Sequence, residues 1–151
     1  MNENVKMLPD LQASLLCDDV RQENNGKFIF IGIFDGLAVV QMPAIFPRIC
    51  VANRWCCGEG VFSQKTRIVA PDGITEVAAG HKINVNLKDA AQSATSVEFF
   101  MNLRFNEMGM HWIEIYLDDY LKLRYPLVIR QAQVQNFKGQ QPIPPQPYQP
   151  S

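Results

Sequence analysis

The sequence predicts an all-β chain, an antiparallel β-sandwich of the immunoglobulin-like kind with about 7–8 strands. Apolar residues recur at spacing two in segment after segment, the period that lines one face of a strand. Clusters of Gly, Pro, Asn and Asp break these segments at short intervals, and no helical period lasts beyond about two turns.

The elements follow in order. Leu11, Ala13, Leu15 and Cys17 alternate with Gln12 and Ser14. Asp18 to Asn24 (DDVRQEN) is the one stretch that reads as a short helix, with Asp18 as its cap. Asn25-Gly26 tolerates positive φ and marks a turn, and Lys27 to Phe34 (KFIFIGIF) is nearly continuous in β-formers. Pro43 and Pro47 bracket a strand entry before Ile49 to Cys57, and Gly58 and Gly60 turn the chain into Val61 to Ala70. Pro71-Asp72-Gly73 ends that strand; Ile83, Val85 and Leu87 form the next. Asp89 to Ser96 is expected as a loop or single helical turn, after which Val97, Phe99, Met101, Leu103 and Phe105 give the cleanest alternation.

The stretch HWIEIYLDDYLKLRYPLVI, His111 to Ile129, is rich in reactive residue types yet also reads as a hairpin. Residues opposed across an antiparallel pair have a constant sum of numbers, and a slip by one residue mixes the faces. A sum of 238 pairs Ile113 with Tyr125, Ile115 with Leu123 and Leu117 with Leu121, and on the other face Glu114 with Arg124 and Tyr116 with Lys122. Asp118, Asp119 and Tyr120 then form the loop, a two-residue turn being rejected because it pairs Ile115 with Lys122. Glu114 and Arg124 become a cross-strand ion pair on a solvated face. Pro126 has no N–H to give to a ladder, which places this strand at an edge there, or the proline at a bulge.

A chain of 151 residues fits one domain: a flexible N-terminus over 1–9, a β-domain over 10–130 and a Gln/Pro-rich tail over 131–151. Hydrophobic residues at 47% and a net charge of -1 give no bulk attraction to nucleic acid or an anionic membrane. The opening MNENVKMLPD lacks the apolar region of an export signal, and no run of about 18 apolar residues occurs. A cytoplasmic protein with Cys17, Cys50, Cys56 and Cys57 as free thiols is therefore expected.

The candidate chemistry is sparse. Alternation separates Cys57 from Cys50 and Cys56, and His81 and His111 lack partner spacing, so no zinc set forms. Asp18 and Asp19 would raise the pKa of Cys17, the wrong direction for a nucleophile. Asp18, Asp19, Glu23, Asp35, Asp72, Asp118 and Asp119 fall near turns, where calcium could bind but where aspartate occurs for its own local reasons. Arg48, Arg54, Lys65 and Arg67 could form a basic strip beside Trp55 and Phe62, although Trp55 alternates away from Arg54. No phosphate-loop, dinucleotide or nucleophile-elbow motif is present. The tail offers P-x-x-P spacing around Pro144, Pro145 and Tyr148, a form that docks into aromatic grooves.

LLCDDVRQENNGKFIFIGIFDG, Leu15 to Gly36, and FNEMGMHWIEIYLDDYLKLRYPLVI, Phe105 to Ile129, together resemble an uncharacterised bacterial family of small all-β proteins, a domain of unknown function. The first carries the pattern C-[DE]-D-[VI]-R-x-E-x-x-G-K-x-x-x-x-G-[VI]-[FY] from Cys17 to Phe34. The resemblance covers roughly residues 11 to 130 and implies a fold and no activity.

The expected function is a non-catalytic protein-binding or assembly module that needs no cofactor and engages a protein partner or a second copy of itself. The interaction candidates are His111, Trp112, Pro126, Pro144, Pro145 and Tyr148. The alternative is a ligand- or calcium-binding domain that uses the Asp-rich loops.

Overall fold

The alternation of Ile49, Val51 and Trp55 with Cys50, Ala52 and Arg54 gives one long strand two different faces, and the chain is organised around it. A computed structural model describes residues 7–133. Among them are eleven strands and no helix: β1 (Asp10–Cys17), β2 (Asp19–Gln22), β3 (Phe28–Ile31), β4 (Gly36–Val39), β5 (Ala44–Cys56), β6 (Gly60–Val69), β7 (Glu76–Ala79), β8 (Ile83–Leu87), β9 (Ala94–Phe105), β10 (Gly109–Leu117) and β11 (Tyr120–Gln131). They form a β1-β5-β9 sheet, a larger sheet of order β4-β11-β10-β6-β7 with β8 also on β6, and a separate β2-β3 hairpin. The fold is all-β, as expected, its sheets do not close into a barrel, and the eleven strands among the described residues exceed the expected 7–8.

One face of β5 and its neighbours supplies Leu16, Ile49, Val51, Trp55, Phe100, Leu103 and Phe105 to a core shared with the larger sheet's Phe62, Ile68, Ile113, Ile115, Leu117, Leu127 and Ile129. Trp55 is fully buried, and its indole N–H is satisfied: Nε1 donates to Gln64 Oε1 at 2.7 Å. Burial of such side chains is the main stabilising term, about 1.5–3 kcal/mol each. On the opposite face of β5, Cys17, Cys50 and Ala52 form a second small cluster covered by Val20 and Phe30 of the hairpin.

Several expectations need correction. Asp18 to Asn24 is not helical: β2 pairs antiparallel with β3, because Val20 finds apolar cover against the Cys17–Cys50 cluster that an exposed two-turn helix would lack. The short strands β4 and β7 also escaped the alternation test, and β4 runs parallel to β11, so the ladders are not all antiparallel. Part of the segment expected as a loop, Ala94 to Ser96, belongs to β9.

The β10–β11 register combines the two alternatives. Ile113↔Tyr125, Glu114↔Arg124 and Ile115↔Leu123 hold the expected sum, but Tyr116↔Leu121 and Leu117↔Tyr120 follow the rejected one. Lys122 is bulged out between the two registers, which preserves the faces beyond it. The turn is the two residues Asp118 and Asp119, at φ 47 and 66, the left-handed pair a tight hairpin requires. Asp118 is tied across to β6, its Oδ1 accepting from Ser63 N at 2.8 Å. Leu121 and Leu123 do not line the core, at 48% and 37% exposed, and the bulge places Leu121 opposite Tyr116 of the outer face.

Candidate functional site

Two charged regions stand out, one on the outer face of the larger sheet and one on the outer side of β5. On the first, Glu114 lies between β6 and β11. Its Oε1 is 3.5 Å from Arg67 Nη1 and accepts from Tyr116 OH at 3.0 Å, while Oε2 is 3.8 Å from Arg124 Nε. Arg67 reaches Glu76 at 3.1 Å and donates to Ile74 O at 2.9 Å. Arg124 also stacks over Trp112, its guanidinium carbon 4.4 Å from the ring centre. The expected Glu114–Arg124 pairing is present. The expected solvation of Glu114 is not: it is 6% exposed, since the two arginines and Tyr116 close over it.

The second region is a cleft of about 590 Å³, lined by Gly26, Lys27, Phe28 and Phe30 from the hairpin, Arg54 from β5, and Ser93 and Thr95 around the start of β9. The hairpin turn is set locally. Glu23 N donates to Lys27 O, Gly26 N to Glu23 O, and Lys27 N to Asn25 Oδ1, with Gly26 at φ 88, where a side chain would be strained. Phe28 and Phe30 share one face of β3, and Phe30 packs on the Cys17–Cys50 cluster. Arg54 is held from two sides, Nε donating to Gln12 Oε1 at 3.3 Å and Nη1 to Thr95 Oγ1 at 2.5 Å. Neither Lys27 nor Arg54 has a carboxylate within 4.0 Å among the described residues, and no acid lines the cleft.

His111 is buried, 1% exposed, with Phe105 edge-on at 4.9 Å and Nδ1 3.2 Å from Gly109 O; burial pulls its pKa down. Trp112 is half-buried under Arg124. Pro126 lies where β11 pairs with β10 alone, because β4 joins only from Val128 onward. Val128 N points to Asp35 O, away from β10, so by strand alternation Pro126 and Arg124 also face the open side. A proline, a bulge at Lys122 and a flanking arginine all blunt strand addition at that edge. Pro144, Pro145 and Tyr148 lie outside the described residues.

The basic strip does not assemble. Arg48 and Arg54 belong to β5 and Lys65 and Arg67 to β6, in different sheets, with Trp55 and Phe62 buried. Arg48 instead lies 3.8 Å from Asp19 and stacks over Phe99. The turn aspartates serve their own loops: Asp72 Oδ2 accepts from the Thr75 hydroxyl and Oδ1 from Thr75 N and Ile74 N, both at 2.8 Å, and these bonds, the hydroxyl's first, lower its pKa. Among the described residues no group of three or more His, Cys, Asp or Glu could hold a metal ion. The four cysteines are free, and burial pushes Cys50 up to about 12. Burial likewise raises Tyr125 to about 12, its OH 2.9 Å from Ser14 Oγ, and raises Glu98, which packs directly against Gly80.

The cleft residues come from three distant segments. Sequence reasoning weighed Arg54 but placed it in a strip, and reading β2 as a helix hid the fold-back that brings Lys27 over it. The available signal was the Asn25-Gly26 turn followed by Phe28 and Phe30 at spacing two.

These features define an all-β domain with a lateral cationic cleft, in which the pKa-perturbed groups Cys50, Glu98, His111 and Tyr125 do not line that cleft. A model of a family of unknown function, DUF6941, matches residues 12–130, and the chain belongs to that family. No curated protein matches it. No helix among the described residues is long and apolar enough to cross a membrane.

Proposed function

We propose that this chain is a non-catalytic protein-binding or assembly module that engages its partner at the β2–β3 hairpin and the cleft beneath it. The observation that carries the reading is the cleft itself: aromatic and hydroxyl lining beside Lys27 and Arg54, with no acid among the described residues that line it. Ile29, Ile31 and Ile33 add exposed apolar surface on the hairpin and just beyond it, at 42%, 37% and 56%. Contiguous exposed apolar groups beside polar ones are the usual mark of a protein contact. A catalytic reading would want perturbed titratable groups converging in the cleft, and those with shifted pKa values line other parts of the chain.

The finer architecture we propose is an immunoglobulin-like sandwich, supported by the single core shared between the two main sheets and by the buried Trp55 on the central strand β5. The cytoplasm is the proposed setting, in keeping with four unpaired thiols.

Light scattering on the full chain, together with affinity capture followed by a titration of whatever is captured, tests the function. A stable oligomer or a saturable complex that weakens in the Ile29→Ser, Ile31→Ser double variant supports it. A strictly monomeric chain with no saturable partner overturns it.

A further inference from the structure

We propose that the cleft beneath the β2–β3 hairpin recognises a carboxylate carried next to an aromatic or aliphatic group, as at an acidic side chain or free carboxy terminus of an extended protein segment. This rests on the binding-module reading and names the chemical group that the module recognises.

The argument begins with charge. The chain has 14 basic and 15 acidic residues, so acids to neutralise the cations are not scarce. Arg21, Arg48, Arg67, Lys82 and Arg124 each have a carboxylate within 4.0 Å, whereas among the described residues Lys27, Arg54, Lys65, Lys88, Arg104, Lys122 and Arg130 have none. The cleft brings Lys27 and Arg54 together from separate elements, and among the described residues no acid lines it. A concave site whose charges are of one sign raises the local concentration of the opposite ion.

Geometry adds orientation. Gln12 and Thr95 occupy Nε and Nη1 of Arg54, which fixes the guanidinium plane and leaves Nη2 without a partner among the described residues. A held guanidinium loses little freedom when it binds an oxygen anion, and charge-assisted hydrogen bonds are the stronger kind. Lys27 stands at the exposed mouth, on a turn fixed by backbone bonds, and supplies a mobile second cation. Ser93 and Thr95 bring hydroxyls.

The remaining wall selects what the anion is attached to. Phe28 and Phe30 are half-buried on the side of β3 that meets the cleft, so a bare inorganic anion would leave this apolar wall wet. A carboxylate bearing an aromatic or aliphatic body covers it, and pockets of this size typically combine apolar lining with a few placed polar groups.

The test uses the full chain and amide shifts at Gly26, Ser93 and Thr95, titrated with N-acetylphenylalanine, with its neutral amide and with inorganic phosphate. Saturable shifts are expected for the acid, with at least ~tenfold weaker binding for the amide and for phosphate. The same ~tenfold loss is expected for the acid in the Lys27→Gln, Arg54→Gln double variant, with no change in Arg124→Gln. Lys27→Gln alone, at an exposed turn, keeps the test decisive if the double variant folds poorly: it too must weaken the acid. No saturable shift, equal binding of acid and amide, or undiminished binding to Lys27→Gln overturns the proposal, and phosphate binding as tightly as the acid overturns it in favour of a bare-anion site. Its failure is separable from that of the function: a captured partner indifferent to Lys27 and Arg54 sinks only the carboxylate, whereas a bound acid with no partner sinks only the protein-binding reading.

Discussion

The outer face around Glu114 and the cleft around Arg54 use the same residue types to opposite ends. In the first, Arg67 and Arg124 converge on one nearly buried carboxylate, Tyr116 donates to it, and Glu76 takes the remaining side of Arg67. In the second, Arg54 is held by neutral oxygens, and neither it nor Lys27 has a carboxylate within 4.0 Å among the described residues. Neutralised charge that is tied down from several directions fixes neighbouring strands; unbalanced charge in a concavity is free to fix something else. A count of charged residues cannot separate the two cases, since the distinction lies in what stands within about 4 Å of each.

The largest expected effect breaks the first region. Glu114→Ala removes the acid common to Arg67 and Arg124, leaving two cations facing one another across β6, β10 and β11. Losing one partner of a fully buried pair costs about 3–5 kcal/mol; with arginine side chains 31% and 36% exposed, about 2–3 kcal/mol is expected. Urea denaturation measures it, and the cleft should bind its probe as before. A loss below about 0.5 kcal/mol would mean that the cluster is an ordinary solvated face.

Phe30→Ala comes next and breaks the second region without touching its charges. A fully buried Phe→Ala change costs about 3–5 kcal/mol, and a half-buried ring on a two-stranded hairpin should cost about 2. Because Phe30 both packs on the Cys17–Cys50 cluster and lines the cleft, probe binding should fall together with stability. Retained binding in a destabilised protein would show that the hairpin is not the wall of the site.

How much of this was readable in advance depends on whether local chemistry or chain return decided it. The Asn25-Gly26 turn and the Glu114–Arg124 pairing follow from local rules and are present. The expected alternation of β9 is not kept: the chain breaks it at Asn102, φ 50, so Leu103 and Phe105 join Phe100 in the core while Phe99 and Met101 are 41% and 62% exposed. Parity rejects the Asp118-Asp119 turn that the structure adopts, because parity assumes a ladder without defects and a bulge at Lys122 lets a tight turn coexist with the original register. Val20 looked helical because its apolar cover, Cys17, Cys50 and Ala52, arrives from other strands. The cleft was hidden for the same reason: no window of sequence contains both Lys27 and Arg54.

A third experiment separates the regions by pH. Burial lowers the pKa of His111, so below the unfolded value near 6.5 the unfolded chain takes up a proton that the folded chain resists, and stability falls as pH drops from about 7 to 5. Glu98 works the other way: its raised pKa makes the unfolded chain lose its proton first, so its contribution to stability falls as pH rises from the unfolded value through the folded one. The clean comparison is therefore between the native chain and His111→Gln. The native melting temperature should drop a few degrees further between pH 7 and 5 than that of the variant. An identical drop in both would place the acid sensitivity elsewhere than under this sheet.

The smallest effect on stability is the most informative for function. Arg54→Gln keeps a donor that can reach toward Thr95 or Gln12 and removes a positive charge that no carboxylate balances. A side chain that is partly exposed and paired only with neutral groups contributes little to folding, and the change should stay within about 0.5 kcal/mol. Glu114→Ala and Arg54→Gln would then form opposite pairs of outcomes, one costing stability and sparing the probe, the other sparing stability and costing the probe. If Arg54→Gln instead unfolds the protein as readily as Glu114→Ala does, the guanidinium is a brace between β1, β5 and β9, and the contrast between the two regions disappears.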